Sequence, residues 1–293
     1  MWTAAFERYV EPARDRAQIW RLILGVVLGI VIMFLTGIVL GILIIGLLDD
    51  SDSQRVMATL TAATTPATML MMLATFTGMA LAPMAAVRLL HRRSVGSLFG
   101  PRAVVVRDFL RAGVTVLGVY AVLIALWFTA FDAVPNIAFS DWIVFLPLAV
   151  IGVLIQTGSE ELVFRAYLVQ QLAARFRSPL VWFIVPAIAF GALHYSPGTA
   201  GANAILLVLA TGLFGLVATD ITRRTGSIGA AWGMHFVNNL FAILFLATDG
   251  HLTGLSLFVT PYGAGDTILP MLLLGDAATL LVTWYILIRI LPR

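Results

Sequence analysis

Three short clusters hold most of the reactive side chains that interrupt the apolar stretches of this chain: Glu160, Glu161 and Arg165 in EELVFR, His194 closing FGALH, and His235 with Asn239 in HFVNN. Ionisable groups inside an apolar span are costly and by default face a cavity or a partner, so each is a functional candidate. On a helix Glu161 and Arg165 are four apart with the acid N-terminal, the better order for an ion pair. Glu160, turned about 100° from its neighbour, then looks into a different space: one carboxylate is structural and the other chemical. The plainer reading has both acids pairing with Arg165 and locking a helix end. His235 and Asn239, again four apart, project from one helix face. His194 follows Phe190 by four, and Pro186 upstream is expected to bend that helix.

A carboxylate beside an imidazole takes a proton from water, while a second His and an Asn amide donate hydrogen bonds to a developing oxyanion. This is a hydrolase's inventory. Glu160, His194 and His235 are also the two-His, one-Glu ligand set of many catalytic zinc sites, where the metal acidifies the water. The sequence leaves both chemistries open, although HExxH is absent and the two His come from different helices. Ser159, Ser196 and Ser227 have no GxSxG elbow and no Lys to pair with. The absence of cysteine excludes disulfides, thiolate zinc sites and a cysteine nucleophile.

These groups need elements to hold them. The chain has 293 residues, 60% hydrophobic and 11% charged, with a mean hydropathy of +0.99. A soluble domain carries roughly a quarter charged residues, so a soluble enzyme is excluded, as are disordered and collagen-like chains. A bilayer core about 30 Å thick needs about 20 apolar residues of helix. Eight stretches approach that length: 22–48, 56–87, 112–131, 142–159, 179–193, 195–219, 225–248 around His235, and 267–288 around Asp276. The expectation is an all-α, polytopic membrane protein of about eight transmembrane helices enclosing an intramembrane catalytic cavity. It divides into 1–141 (an N-terminal interfacial segment and three helices), 142–247 (the catalytic core) and 248–293 (a loop and the last helix). The first run is too long for a signal-peptide core and is read as retained. Ahead of it Trp2, Phe6, Tyr9 and Val10 interleave with Glu7, Arg8, Glu11 and Arg14, a mixture that suits an interfacial helix as well as an ordinary polar tail.

All 18 basic residues are Arg. Eight crossings put all of them but Arg55 on one side and leave Asp49, Asp50, Asp52, Asp132, Asp141, Asp249 and Asp266 on the other, so the positive-inside rule places both termini in the cytoplasm. The same rule accounts for the basic loop 91–111 without nucleic acid.

EELVFR, FGALH and HFVNN match, in order, the EExxxR, FxxxH and HxxxN motifs of the CPBP intramembrane proteases, also called CAAX proteases and bacteriocin-processing enzymes or the Abi family. TGLFGLVATDITRRTGSI, ahead of the third motif, resembles that family as well. The resemblance covers 142–247, about a third of the chain. It implies a membrane-embedded endopeptidase, multi-pass in a bacterial cytoplasmic membrane, with a membrane protein or peptide as substrate and no nucleic acid partner. Carried over by motif, Glu160 is the general base, His194 helps to position or activate water, His235 and Asn239 stabilise the oxyanion, and Glu161 with Arg165 braces the site. A glutamic mechanism without cofactor is favoured, with zinc on Glu160, His194 and His235 as the alternative. Ala166 stands where the family commonly has Gly. By residue count His194 lies deeper than His235, so a bend near Pro186 or an interfacial segment over 166–178 must bring them together. The competing classes are a proton-linked transporter, in which Asp276 would join the relay, and a non-catalytic membrane scaffold.

Overall fold

Thr3 starts the first helix, its Oγ1 accepting from the Phe6 N–H at 3.0 Å while its hydroxyl donates to the Arg223 carbonyl at 2.8 Å. In this computed structural model, which describes residues 2–47, 49–130 and 132–291, α1 (Ala4–Val10) buries Phe6, Tyr9 and Val10. The N-terminal segment is therefore docked on the protein. Phe6 packs on Trp182 with ring centroids 4.7 Å apart, and the Tyr9 hydroxyl donates to the Leu98 carbonyl at 2.7 Å. Burial pushes that hydroxyl far above the ordinary tyrosine range, so it stays a donor. Gln170 closes the seam: its Nε2 donates to the carbonyls of Tyr9 (3.0 Å) and Ser97 (2.8 Å), and its Oε1 accepts from Arg93 at 2.7 Å.

Among the described residues, six helices are long and apolar enough to cross a bilayer: Ile19–Leu47, Pro66–Leu89, Arg102–Thr129, Phe139–Arg175, Pro197–Thr225 and Leu269–Ile290. Their outer faces carry large apolar side chains without protein cover, Phe34 at 69% and Ile42 at 64% exposed among them, as lipid contact requires. The chain is an integral, multi-pass membrane protein. In chain order, α2 (Ile19–Leu47) leads to α3 (Asp50–Thr59) and α4 (Pro66–Leu89), then α5 (Arg102–Ala130) and α6 (Phe139–Glu161). A π-helical stretch, Leu162–Leu168, carries α6 into α7 (Val169–Arg175); a second, Leu180–Ile184, opens α8 (Val185–Ala192). The short α9 (Pro197–Ala200) precedes α10 (Ala204–Thr225) and α11 (Gly229–Leu240); a third π-helical stretch, Phe241–Phe245, follows α11, and α12 (Leu269–Ile290) ends the fold.

Several expectations change. Six helices meet the length of a span where eight were counted. Of the other two, Leu180–Ala192 is a five-residue π turn running into an eight-residue helix, and α11 has 12 residues before its π turn and an extended Leu246. At 1.5 Å per residue each rises only about 20–25 Å, short of a hydrocarbon core. The run 56–87 is not one helix either: α3 ends at Thr59, and α4 starts afresh where Thr65 and Thr68 form a reciprocal capping box ahead of Pro66. The chain is also not purely α. Strands β1 (Val134–Pro135), β2 (Leu246–Asp249) and β3 (Phe258–Gly263) form a small sheet of order β1-β3-β2, antiparallel at β1/β3 and parallel at β2/β3. The expected span ends at Leu48 and Phe131, the terminal Arg293, and the side chains of Asp50 and Arg55 lie outside the described residues.

The helices that matter for chemistry are α6 and α11, and glycine sets how closely α11 packs on α6 and on α5. A Cβ at Gly158 would lie 2.7 Å from the Trp232 ring, and one at Gly233 would lie 2.2 Å from the Phe109 carbonyl oxygen of α5. That oxygen is backbone and cannot swing aside. Gly233→Ala is therefore expected to lower stability by about 1–3 kcal/mol, the usual cost of overpacking, read as an earlier thermal transition in detergent. Gly41→Ala, where nothing lies within 4 Å of the added carbon, should leave the transition unmoved.

Candidate active site

The last turn of α6 places Gln156 and Glu160 four apart on one face, and the Gln156 amide donates to Glu160 Oε1 at 2.9 Å. Glu161 points elsewhere. Its Oε1 lies 3.2 Å from Arg165 Nη1, the two side chains 0% and 1% exposed. Arg165 belongs to the π-helical stretch after Glu161, whose wide i to i+5 turn is uncommon and recurs at functional sites. Among the described residues its side-chain nitrogens make no hydrogen bond of ordinary geometry. The charge is met instead by Glu161 and by two ring faces, Phe190 at 4.3 Å and Phe214 at 5.6 Å from Cζ.

His235 comes from α11 and joins both carboxylates. Its Nδ1 lies 2.8 Å from Glu161 Oε1. An ionised carboxylate only accepts, so Nδ1 donates to Glu161, and Nε2 faces Glu160 Oε2, 3.4 Å away. Phe214 (4.8 Å) and Phe190 (6.1 Å) flank the imidazole and fix its plane. One turn on, Asn239 Nδ2 donates to Gln156 Oε1 at 2.8 Å, and Asn238 Nδ2 donates to Asn239 Oδ1 at 3.0 Å. The Tyr120 hydroxyl of α5 donates to Asn238 Oδ1.

Glu161 thus meets both Arg165 and His235, His235 also faces Glu160, and Asn239 reaches Glu160 through Gln156. His194 is a ring away. Its Nδ1 is tied to the Phe190 carbonyl at 2.9 Å and its imidazole lies 4.9 Å from the Phe190 ring; among the described residues it makes no hydrogen bond or ion pair with Glu160. A π-helical stretch, Leu180–Ile184, precedes Pro186 near the start of α8, and 166–178 is largely helix continuing α6 to Arg175. The predicted pairing of Glu161 with Arg165 is present, and Glu161 also holds His235. Gln156, Asn238, Tyr120 and Phe214 were not foreseen. Gln156 left a trace, as the one amide in the run 142–159 and the i−4 neighbour of Glu160.

No three His, Asp or Glu side chains among the described residues are arranged to hold a metal. His235 Nε2 and Glu160 Oε2 are 3.4 Å apart, but His194, its Nδ1 on the Phe190 carbonyl, is not grouped with them as a third ligand. The Glu160 side chain keeps 11% of its surface exposed. Two recesses, of about 200 Å³ beside Leu43 and Met71 and about 270 Å³ beside Tyr9 and Gly226, lie away from it, and the cavity expected around Glu160 is not one of these. Asp276, exposed on α12, stands outside the carboxylate cluster.

Residues 139–241 match the family model described as type II CAAX prenyl endopeptidase Rce1-like. That segment thus matches the CPBP/CAAX protease family its motifs resemble. A curated relative, the uncharacterized protein YyaK of Bacillus subtilis (strain 168), is 34% identical over 115 residues, 39% of this chain and 38% of that protein. The match therefore spans less than two fifths of the relative's length. No solved structure matches.

Proposed function

We propose that the chain is an intramembrane endopeptidase that hydrolyses a peptide bond of a membrane-associated protein or peptide, with Glu160 as the base that activates water. The observation that carries this reading is the setting of Glu160: a nearly buried carboxylate held between Gln156 Nε2 and His235 Nε2, within a segment that matches a family of prenyl endopeptidases. Water seated against Glu160 loses its proton to the carboxylate as its oxygen attacks the scissile carbonyl. His194, with Nδ1 committed to the Phe190 carbonyl, has Nε2 for that water. In its imidazolium form His235, its Nδ1–H fixed by Glu161, presents Nε2–H to the oxyanion together with the Asn239 N–H not given to Gln156. Arg165 offsets the charge of Glu161, so the imidazole keeps one orientation. Glu160 then returns the proton to the leaving amine.

We place this reaction in the metal-free class, because among the described residues no three His, Asp or Glu side chains are arranged to hold a metal. The catalytic core is placed at 142–247, flanked by 1–141 and 248–293, and both termini at the cytoplasmic face of a bacterial membrane, where the Arg residues gather. The description of the matching family makes a prenylated CAAX peptide the first substrate to try.

The test compares protein N-termini in membranes of cells carrying the wild type or Glu160→Gln at matched expression. New termini confined to the wild type are expected and identify the substrate. Identical termini, with both proteins folded and abundant, overturn the protease reading and turn attention to transport or scaffolding.

A further inference from the structure

The amide chain behind Glu160 has a direction, and following it leads out of the matched segment. An ionised carboxylate accepts only, so the Gln156 group 2.9 Å from Glu160 Oε1 must be its NH2. Gln156 Oε1 then faces Asn239, whose NH2 must donate; Asn239 Oδ1 in turn accepts from Asn238 Nδ2. The last acceptor, Asn238 Oδ1, needs a donor from elsewhere, and the Tyr120 hydroxyl supplies it. An amide reversed end for end has nearly the same shape, so hydrogen bonds alone decide which way each of the three points. Glu160 sets the sense at one end. At the other, the Tyr120 hydroxyl keeps the Asn238 carbonyl from being left half-buried and unpaired, a loss that would free it to turn.

We infer that Tyr120 is a positioning residue for the hydrolytic site, acting through Asn238 on Asn239 and Gln156 and so on Glu160. The inference rests on the endopeptidase reading above. It extends the functional unit to α5, outside residues 139–241. The three middle links are amides, which neither ionise nor pass protons on at ordinary pH; the chain orients groups and does not conduct. Its effect is geometric: Asn239 keeps one N–H on Gln156 and the other aimed at the reacting carbonyl, where small displacements cost rate steeply. The Tyr120 ring is held independently, stacked on Phe241 with centroids 4.9 Å apart and planes 27° from parallel, so Tyr120→Phe removes the donor and keeps the packing.

The experiment uses the purified full chain in liposomes with a farnesylated CAAX peptide carrying a quenched fluorophore. The variants are Tyr120→Phe, Asn238→Leu, the double variant and Glu160→Gln. We expect Tyr120→Phe to lower kcat about 5- to 20-fold with KM and the thermal transition unchanged, and to lower it no further in the Asn238→Leu background, where the chain is already cut. A wild-type kcat for Tyr120→Phe, effects that multiply in the double variant, or a fall in kcat accompanied by lost thermal stability overturns the inference; with Glu160→Gln inactive, the protease reading then stands. Glu160→Gln as active as the wild type overturns both. So does a wild type that neither cleaves this peptide nor generates new N-termini in membranes.

Discussion

Glu160→Gln is expected to slow peptide-bond hydrolysis by about 10³-fold, within the range of 10²–10⁴ that a positioned general base contributes, and to leave the fold intact. The substitution changes one oxygen for an NH2 and keeps the volume. The carbonyl oxygen of the new side chain can still accept from Gln156 Nε2, 2.9 Å away in the wild type. At His235 the NH2 faces Nε2, 3.4 Å off, where a neutral imidazole accepts. A barrier about 4 kcal/mol higher is the equivalent of that rate loss. Product release from the farnesylated peptide measures the rate, and thermal unfolding in detergent measures the fold. Activity above a tenth of the wild type, with a normal thermal transition, would assign the base to another group.

Arg165→Met should act on stability first. Arg165 and Glu161 are 1% and 0% exposed and 3.2 Å apart, and removing one partner of such a pair costs about 3–5 kcal/mol because the other charge is left buried without its counterion. The rings of Phe190 and Phe214 over the guanidinium lose a cation as well. Folded protein recovered from membranes should fall sharply. Adding Glu161→Gln to Arg165→Met should restore part of the yield, since the double change removes the stranded charge while the new amide oxygen still accepts from His235 Nδ1. A single variant as stable as the wild type would mean that Glu161 is neutralised by His235 alone. Arg165→Lys should not rescue, because a compact ammonium cannot spread over two rings as a planar guanidinium does.

How much of this was legible depended on which physical signal each residue leaves. The Glu161–Arg165 pair could be read from spacing alone, because (i, i+4) neighbours meet on any helical turn, and the three motifs announced themselves because polar groups in apolar spans have nowhere else to go. The π-helical stretches leave no such mark. LVFRAYL and FAILF have ordinary helical composition, and their wide turns follow from tertiary packing. Counting uncharged residues overstated the spans, since absence of charge does not show where backbone leaves a helix: Thr65-Pro66 is a start signal inside an uncharged run, and 246–263 carries the β-branched and aromatic residues of strands. The family resemblance gave His235 its oxyanion role, but its contact with Glu161 depends on the distance between α6 and α11, which Gly158 against Trp232 sets and sequence periodicity does not encode.

The docking of α1 also puts a clock on how this protein is made. Gln170 and the Tyr9 carbonyl it binds are 161 residues apart, which at about 5–20 residues per second is roughly 8–32 s of translation. Trp182, the ring under Phe6, emerges later still. During that interval α1 exists without the surface that buries Phe6 and Val10, and the membrane interface is the one apolar medium beside it. α1 therefore leaves the ribosome well ahead of the surface it docks on, and a stalled or truncated nascent chain ending before α7 would keep α1 parked among lipid headgroups.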